Sequence, residues 1–215
     1  MSQENQWEQF AQNFEARNNY VVGMTNIDLL KGELRAFSDP GRLLELGCGN
    51  GTYTQCFLDS ASEIIATDIS EEMVRITQER FQSALNVRVE LADCFQLPYQ
   101  DSAFDTVFMA NVLHIIPNPE IALAEGFRVL KSGGRLIVAS FTLHGMSLIH
   151  QMLMRYRYTK MYGKKSSTAI KLTPGLASDM VSAAGFHVET CRLIGHHVKA
   201  VYLVACKSAD SHRIS

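Results

Sequence analysis

The sequence has few of the features that mark disulfide-bonded, metal-binding or membrane-spanning proteins. Its five cysteines are odd in number and never form a Cys-x-x-Cys pair, which argues against a disulfide framework and a cysteine zinc site. No apolar run approaches the ~18 residues of a membrane span. The polar start of the chain lacks the apolar core of a signal peptide. We therefore expect a cytoplasmic protein with no metal site.

An excess of charge of one sign is also missing. The chain holds 20 Lys and Arg against 22 Asp and Glu, a formal net charge of -2. Nucleic acids usually attract strongly basic domains, so we expect no nucleic-acid partner. With 47% hydrophobic residues among 215, the chain can bury the core of one domain.

Short apolar runs alternate with helical segments through the middle of the chain. Helical periodicity is present over Ser70–Leu85 and Pro119–Leu130. The runs, rich in Val, Ile and Leu, are Arg42–Leu46, Glu63–Thr67, Val87–Leu91, Phe104–Ala110 and Arg135–Phe141. This alternation predicts parallel strands joined by right-handed crossovers, hence a doubly wound, Rossmann-like α/β fold.

The end of the chain has a different pattern. The apolar runs Phe186–Leu193 and Ala200–Lys207 are separated only by the short segment Ile194–Val198. A connection this short requires an antiparallel hairpin. The full prediction is therefore a seven-stranded sheet, mostly parallel, with an antiparallel strand in a C-terminal hairpin.

These patterns divide a single predicted domain into four parts. They are an N-terminal helical cap (1–40), a cofactor-binding core (42–141), a helical insert or lid (143–172), and a final helix with the hairpin (173–207). In the cap, Trp7, Phe10 and Phe14 stand at helical spacing, a looser stretch follows to Gly23, and a second helix covers Ile27–Phe37.

The first predicted strand ends in a glycine loop. Gly47, Gly49 and Gly51 stand at alternate positions, where they let the backbone turn sharply and let a ligand approach closely. Glu45 precedes the first glycine by two residues. Its carboxylate suits a ligand with an ammonium group and would repel the pyrophosphate of a dinucleotide, whose loop has the different spacing Gly-x-Gly-x-x-Gly. We also predict a helix beginning near Thr52, with amide groups facing a ligand carboxylate.

Two further acids follow the next two strands. Asp68 stands 23 residues beyond Glu45 (68 − 45), close to the ~20-residue offset of an acid that binds ribose hydroxyls. The alternative is that Asp68 caps a helix. Asp93 could accept a proton from an adenine amino group, with Cys94 lining the ring, or it could be a surface turn residue.

Several motifs in this order resemble those of the class I S-adenosylmethionine-dependent methyltransferases, especially the quinone-biosynthesis and other small-molecule branch. They are Glu45–Gly51, Asp68, Leu97–Asp105 and Arg128–Leu136, and the resemblance covers roughly Arg42–Phe141. It implies S-adenosylmethionine as cofactor and S-adenosylhomocysteine as product. The positions it implies are Glu45, Gly47, Cys48 and Gly49 for the methionine end, Asp68 for the ribose, Ile69, Met73, Asp93 and Cys94 around the adenine, and Asn111 on the cofactor floor.

The acceptor side is less defined. Methyltransferases that act on amino groups of nucleic acids or of glutamine resemble one another in an Asn/Asp-Pro-Pro-aromatic motif after the fourth strand. Residues Asn111–His114 lack that motif. A small-molecule acceptor is therefore expected. His114 is a candidate general base, needed only if the acceptor must lose a proton; the alternative is a structural histidine. Tyr20 is expected either to close over the cofactor or to pack at the sheet edge.

The insert combines an apolar face with basic and aromatic residues. Ile149, Met152, Leu153 and Tyr156 share one face of a predicted amphipathic helix, which continues into the basic run Arg155–Lys165. The run could hold an anionic aromatic acceptor, a phosphate or a membrane surface, with Arg155 as a substrate-binding candidate. Alternatively, the apolar face packs on the core and the basic face is solvated.

The sequence thus predicts in-line methyl transfer from S-adenosylmethionine to a small molecule. One alternative is a catalytically silent subunit or sensor that only binds the cofactor. The other is an NAD(P)-dependent oxidoreductase, against which the glycine spacing and Glu45 argue. The histidines His144, His150, His196 and His197 have no acid or cysteine at short spacing and do not form a metal set.

Overall fold

The computed structural model describes residues 11–163 and 169–209. Trp7 and Phe10 of the predicted first helix, and Lys164 and Lys165 of the basic run, lie outside the described residues. Among the described residues, no helix combines the length and apolar content needed to cross a bilayer.

A seven-stranded sheet forms the centre of the molecule, in the order β3-β2-β1-β4-β5-β7-β6. Neighbouring strands are parallel except that β7 runs antiparallel to both β5 and β6. The strands are β1 (Arg42–Leu46), β2 (Glu63–Asp68), β3 (Val87–Leu91), β4 (Phe104–Ala110), β5 (Leu130–Thr142), β6 (His187–Ile194) and β7 (Lys199–Cys206). The predicted fold and its reversed strand are confirmed.

Six α-helices accompany the sheet in the described residues. They are α1 (Phe14–Val22), α2 (Met24–Arg35), α3 (Glu71–Arg80), α4 (Pro119–Val129), α5 (Leu148–Tyr162) and α6 (Pro174–Ala183). Local chemistry sets several of their starts. The Ser70 hydroxyl accepts a hydrogen bond from Met73 N at 3.3 Å, with Glu71 and Glu72 in the first turn of α3.

The core forms two apolar layers, one on each face of the sheet. Along β1, Leu43 belongs to one layer and Leu44 to the other, because successive strand residues point to opposite faces. Both residues are fully buried. Strands covered on both sides carry apolar residues on both faces, which explains why β1 and β4 are mostly apolar.

Two local predictions are wrong. The stretch before Gly23 is helical as α1, and Gly23, with φ +89°, separates it from α2. No α-helix begins near Thr52; a 3-10 helix covers only Thr54–Phe57. Side chains here bond locally instead, since Thr52 Oγ1 donates to Asn50 Oδ1 at 2.6 Å, and such bonds compete with helical ones.

Helix α5 turns a different face to the core than its sequence predicts. The buried or half-buried apolar residues are Met154, Tyr158, Met161 and Tyr162, whereas Ile149, Met152, Leu153 and Tyr156 are exposed. The prediction that those four residues pack on the core is therefore wrong. Because α5 carries apolar side chains on both faces, its periodicity could not decide the orientation.

Contacts near both ends hold α5 in this orientation. Near its start, the His150 ring stacks on His197 of the β6–β7 loop, with centroids 4.4 Å apart. Near its end, Tyr162 packs against Phe14 of α1, and Arg17 donates a hydrogen bond to the Met161 carbonyl. Helix α5 is thus fixed against α1 and the hairpin.

Candidate cofactor and acceptor site

The candidate site lies where β1, β2 and β4 end. Strand β1 pairs with β2 on one side and with β4 on the other, so Gly47, Asp68 and Asn111 come together at one edge of the sheet. The strand order reverses direction between β1 and β4. Ligands of open α/β sheets bind at this kind of switch point.

The glycine loop has a backbone that other residues could not adopt without strain. Gly47, Gly49 and Gly51 have φ of +72°, +55° and +75°. A Cβ on Gly47 would lie 2.3 Å from Val112 Cγ2, and one on Gly51 would lie 2.5 Å from Phe81 Cε2. The loop is also held in place, since Thr77 Oγ1 donates to the Gly49 carbonyl at 2.6 Å.

Glu45 is a fully buried acid with one oxygen left unpaired. Its Oε2 accepts a hydrogen bond from Thr54 Oγ1 at 2.6 Å, while the buried Oε1 accepts none from the described residues. Burial raises the pKa of Glu45 to about 8; the bond from Thr54 opposes this rise and the charge of Asp68 adds to it. An ammonium group would complete the hydrogen bonding and favour the ionised form.

Asp68 connects the end of β2 to the glycine loop. Its Oδ2 accepts from Gly49 N at 2.9 Å and its Oδ1 from Ser70 N at 3.0 Å. Burial raises the pKa of this half-buried carboxyl. The capping position of α3 is occupied by Ser70. Each carboxylate oxygen of Asp68 retains acceptor capacity for a ligand hydroxyl.

The predicted adenine residues differ in exposure. Met73 is buried, Cys94 half-buried, and Ile69 and Asp93 exposed. Burial, followed by the charge of Asp93, raises the pKa of Cys94 to about 12, so its thiol stays neutral. Asp93 Oδ1 accepts a turn hydrogen bond from Phe95 N at 2.9 Å, which occupies one of its oxygens.

Asn111 has a strained backbone beside the site. Its φ is +59°, a left-handed value that costs a non-glycine residue energy and occurs often at functional sites. Asn111 Oδ1 accepts from Phe141 N at 2.9 Å. The buried Tyr53 hydroxyl lies near the side chains of Asn111 and Asn18, and burial raises its pKa.

His114 follows β4 and is half-buried. Its Nδ1 lies 2.7 Å from Ser140 Oγ, and Ser140 is fully buried in β5. This contact orients the ring at the carboxyl edge of the sheet. An oriented imidazole at this edge is compatible with either alternative, a base or a structural residue.

Helices α1 and α5 bring aromatic and basic side chains together on the acceptor side. The Tyr20 ring centroid lies 5.8 Å from Arg157 Cζ and 5.6 Å from Lys160 Nζ. Arg155 precedes Arg157 by two residues, which places it about 200° from Arg157 around the helix axis. The Arg155 side chain is exposed. The structure thus places Arg157 and Lys160, both from the predicted basic run, over Tyr20.

Further site residues could not be found from sequence spacing. Thr54 and Thr77 bond to Glu45 and the loop, and Ser140 orients His114. Phe14 Cε1 lies 3.7 Å from where a Cβ on Gly49 would be, so α1 reaches the loop. These side chains come from separate elements, and no local motif connects them.

A family model matches the central part of the chain. Residues 44–138 match the family model of a methyltransferase domain. This range includes the glycine loop, Asp68, Asp93 and His114. This part of the chain is therefore similar to the methyltransferase-domain family.

Relatives with named functions match part of the chain. A ubiquinone/menaquinone biosynthesis C-methyltransferase from Ectopseudomonas mendocina is 32% identical over 135 residues, covering 60% of this chain and 53% of the relative. A 27-O-demethylrifamycin SV methyltransferase from Amycolatopsis mediterranei is 35% identical over 107 residues, covering 47% and 39%. The chain thus spans about half or less of the curated relatives it matches.

The fold also matches solved structures. An S-adenosylmethionine-dependent methyltransferase from Thermotoga maritima superposes with a TM-score of 0.75 at 22% identity, covering 95% of this chain and 99% of that one. At this identity the likeness supports the fold alone.

Proposed function

We propose that this protein transfers the methyl group of S-adenosylmethionine to a small-molecule acceptor. The observation that carries the proposal is the buried Glu45, whose Oε1 has no hydrogen-bond partner within residues 11–163 and 169–209 and whose Oε2 is fixed by Thr54 behind the glycine loop. A buried acid left half-paired needs a cationic or hydrogen-bond-donating ligand. The methionine end of the cofactor carries such an ammonium group.

The surrounding residues fit the rest of the cofactor. Glu45 would hold the ammonium group, beside the backbone of Gly47, Cys48 and Gly49, and Asp68 would accept the ribose hydroxyls. The other proposed contacts are Ile69, Met73, Asp93 and Cys94 around the adenine, and Asn111 on the floor. Bound there, the cofactor supplies an activated methyl group on a sulfonium.

The protein's own contribution to the reaction is mainly position and exclusion of water. The buried residues Leu46 and Met109 near the ends of β1 and β4, with the aromatic residues of α1 and α5, would supply a dry, rigid wall. His114, oriented by Ser140, would take a proton from the acceptor where the acceptor must lose one.

We infer an aromatic small molecule as acceptor. Two observations support this class: the cations of Arg157 and Lys160 lie 5.8 and 5.6 Å from the Tyr20 ring centroid, and the Tyr158 and Tyr162 rings pack together on α5, tilted, with centroids 5.1 Å apart. The relatives named above methylate a carbon of a quinone precursor and an oxygen of a rifamycin. Because the two acceptors differ in the methylated atom, that atom stays open.

We also propose that the chain is divided into cap, core, insert and final hairpin. A cytoplasmic location is proposed as well. In this layout residues 1–40 and 143–172 would enclose the acceptor above the cofactor-binding core. Both segments meet in the structure, since α1 and α5 pack against each other.

The test is calorimetric titration with S-adenosylmethionine and S-adenosylhomocysteine, with Asp68→Ala as the control variant. We expect micromolar binding of both ligands by the natural protein and its loss in the variant. Absence of binding, together with binding of NAD(P), would overturn the cofactor assignment. Binding without incorporation of labelled methyl groups into aromatic acceptors would indicate the silent, cofactor-binding alternative.

A further inference from the structure

One side of α5 is an exposed apolar surface. We define the outer face of α5 as Leu148, Ile149, Met152, Leu153 and Tyr156, which are exposed by 77, 76, 71, 41 and 63%. Their spacing of one, three and four residues places them side by side on the helix. Contiguous apolar patches of this kind mark interaction surfaces.

The charge around this face has one sign. From Leu143 to Gly163 the chain has Arg155, Arg157 and Lys160 and no Asp or Glu, although its formal net charge is -2. Arg155 is seven residues from Leu148, about 20° around the helix axis, and Arg157 is four residues from Leu153, about 40°, so these two cations flank the outer face on its two sides. Glu15, an acid of the neighbouring α1, is paired with Arg80 at 3.4 Å.

The outer face therefore combines exposed apolar side chains with flanking cations. A helix of 15 residues is about 22 Å long, too short to span a bilayer but suited to lie along its surface. In such helices the apolar side chains enter the acyl region while Lys and Arg reach the headgroups. The contacts of α5 with α1 and with His197 would hold it as a rigid platform.

We propose that the outer face of α5 docks this protein on an anionic membrane surface. Leu148, Ile149 and Met152 enter the bilayer, and Arg155 contacts lipid phosphates. A second copy of the chain is a poorer occupant, because two helices with cations and no acids would repel each other. This inference does not depend on the proposed methyl transfer.

The experiment is co-sedimentation with lipid vesicles at low and high salt. One set contains phosphatidylcholine with phosphatidylglycerol, and the other phosphatidylcholine alone. We expect binding to the anionic vesicles that weakens with salt, and about tenfold or greater loss of binding in Leu148→Ser/Ile149→Ser/Met152→Ser. Arg155→Glu should also weaken binding, by several-fold.

A matched control replaces three exposed apolar residues elsewhere. Leu85→Ser/Ile121→Ser/Leu176→Ser removes the same kind of side chain, and Leu85 is fully exposed. This variant should bind vesicles like the natural protein. Equal urea midpoints and equal titrations with S-adenosylmethionine in all variants would show that folding and the cofactor site are unchanged.

Three outcomes would overturn the proposal. The first is no vesicle binding by the natural protein. The second is equal binding by the outer-face and control variants, or equal binding to both vesicle sets. The third is a dimer in sedimentation velocity that the outer-face variant abolishes, without vesicle binding, which would assign the face to a second copy.

Discussion

The proposed cofactor side and the proposed acceptor side of this molecule use polar residues in opposite ways. At the ends of β1 and β2, Glu45 is fully buried and Asp68 half-buried, and each is fixed by hydrogen bonds to a named neighbour. On α1 and α5, Tyr20 and Arg155 are exposed, and the cations over Tyr20 lie more than 5 Å from its ring.

This difference indicates how much each side tolerates change. A buried acid without its partner costs free energy, so the residues around the glycine loop constrain one another. Exposed cation–π contacts are worth little and allow substitution. A site that binds a constant cofactor can be rigid, whereas the side that selects an acceptor can vary without loss of the fold.

The largest expected effect is on the glycine loop. In Gly47→Ala, the new Cβ would overlap Val112 and the φ of +72° would be strained, so we expect a loss of about 3 kcal/mol in the free energy of unfolding. Gly133→Ala has a similar φ of +76° with no atom within 4 Å and should lose only about 1 kcal/mol. Urea denaturation measures both; equal losses would contradict the packing argument.

The next largest effect is on the affinity for S-adenosylmethionine, and it distinguishes Asp68 from Asp93. Asp68→Asn keeps the shape but removes one acceptor oxygen and the charge, so we expect binding of S-adenosylmethionine to weaken about 30-fold, or ~2 kcal/mol. Asp93→Asn changes an exposed residue and should weaken the binding of S-adenosylmethionine only about threefold. Calorimetry measures both, and the reverse order would remove Asp68 from the ribose position.

Glu45 predicts a pH dependence of cofactor binding. Its pKa is raised from 4.5 to about 8 in the free protein, so at neutral pH the carboxyl is mostly protonated. A bound ammonium group favours the carboxylate, and binding at pH values below about 8 therefore releases a proton. Affinity should rise with pH up to about 8.

Titrations in buffers of different ionisation enthalpy measure that proton release. In Glu45→Gln the residue cannot ionise, so the affinity should be weaker and nearly independent of pH in this window. A proton release that persists in the variant would assign the effect to another group.

The smallest effect is expected on the acceptor side. Arg155→Ala/Arg157→Ala removes an exposed cation and one that lies over Tyr20, so the free energy of unfolding should change by only about 0.5 kcal/mol. If α5 contacts the acceptor, the acceptor KM should rise several-fold while the affinity for S-adenosylmethionine stays constant. An unchanged KM would exclude these arginines from acceptor binding.

The strands and their direction could be predicted from the sequence because local patterns encode them. Buried parallel strands are mostly apolar, as β1 and β4 are, and β1, β3 and β4 have the predicted bounds. The short link between the last two strands required the reversed strand. The glycine loop, Glu45 and Asp68 were found because each stands at a fixed offset from a strand end.

Only the tertiary structure decided the orientation of α5 and the surroundings of the site. Helix α5 has apolar residues on both faces, and its contacts with Phe14 and His197 determined which face is buried. Thr54, the partner of Glu45, lies on a different element from Glu45. Ser140, the partner of His114, is 26 residues away along the chain, too far for a local motif. Periodicity and spacing describe neighbours along the chain, whereas such contacts form only when distant segments fold against each other.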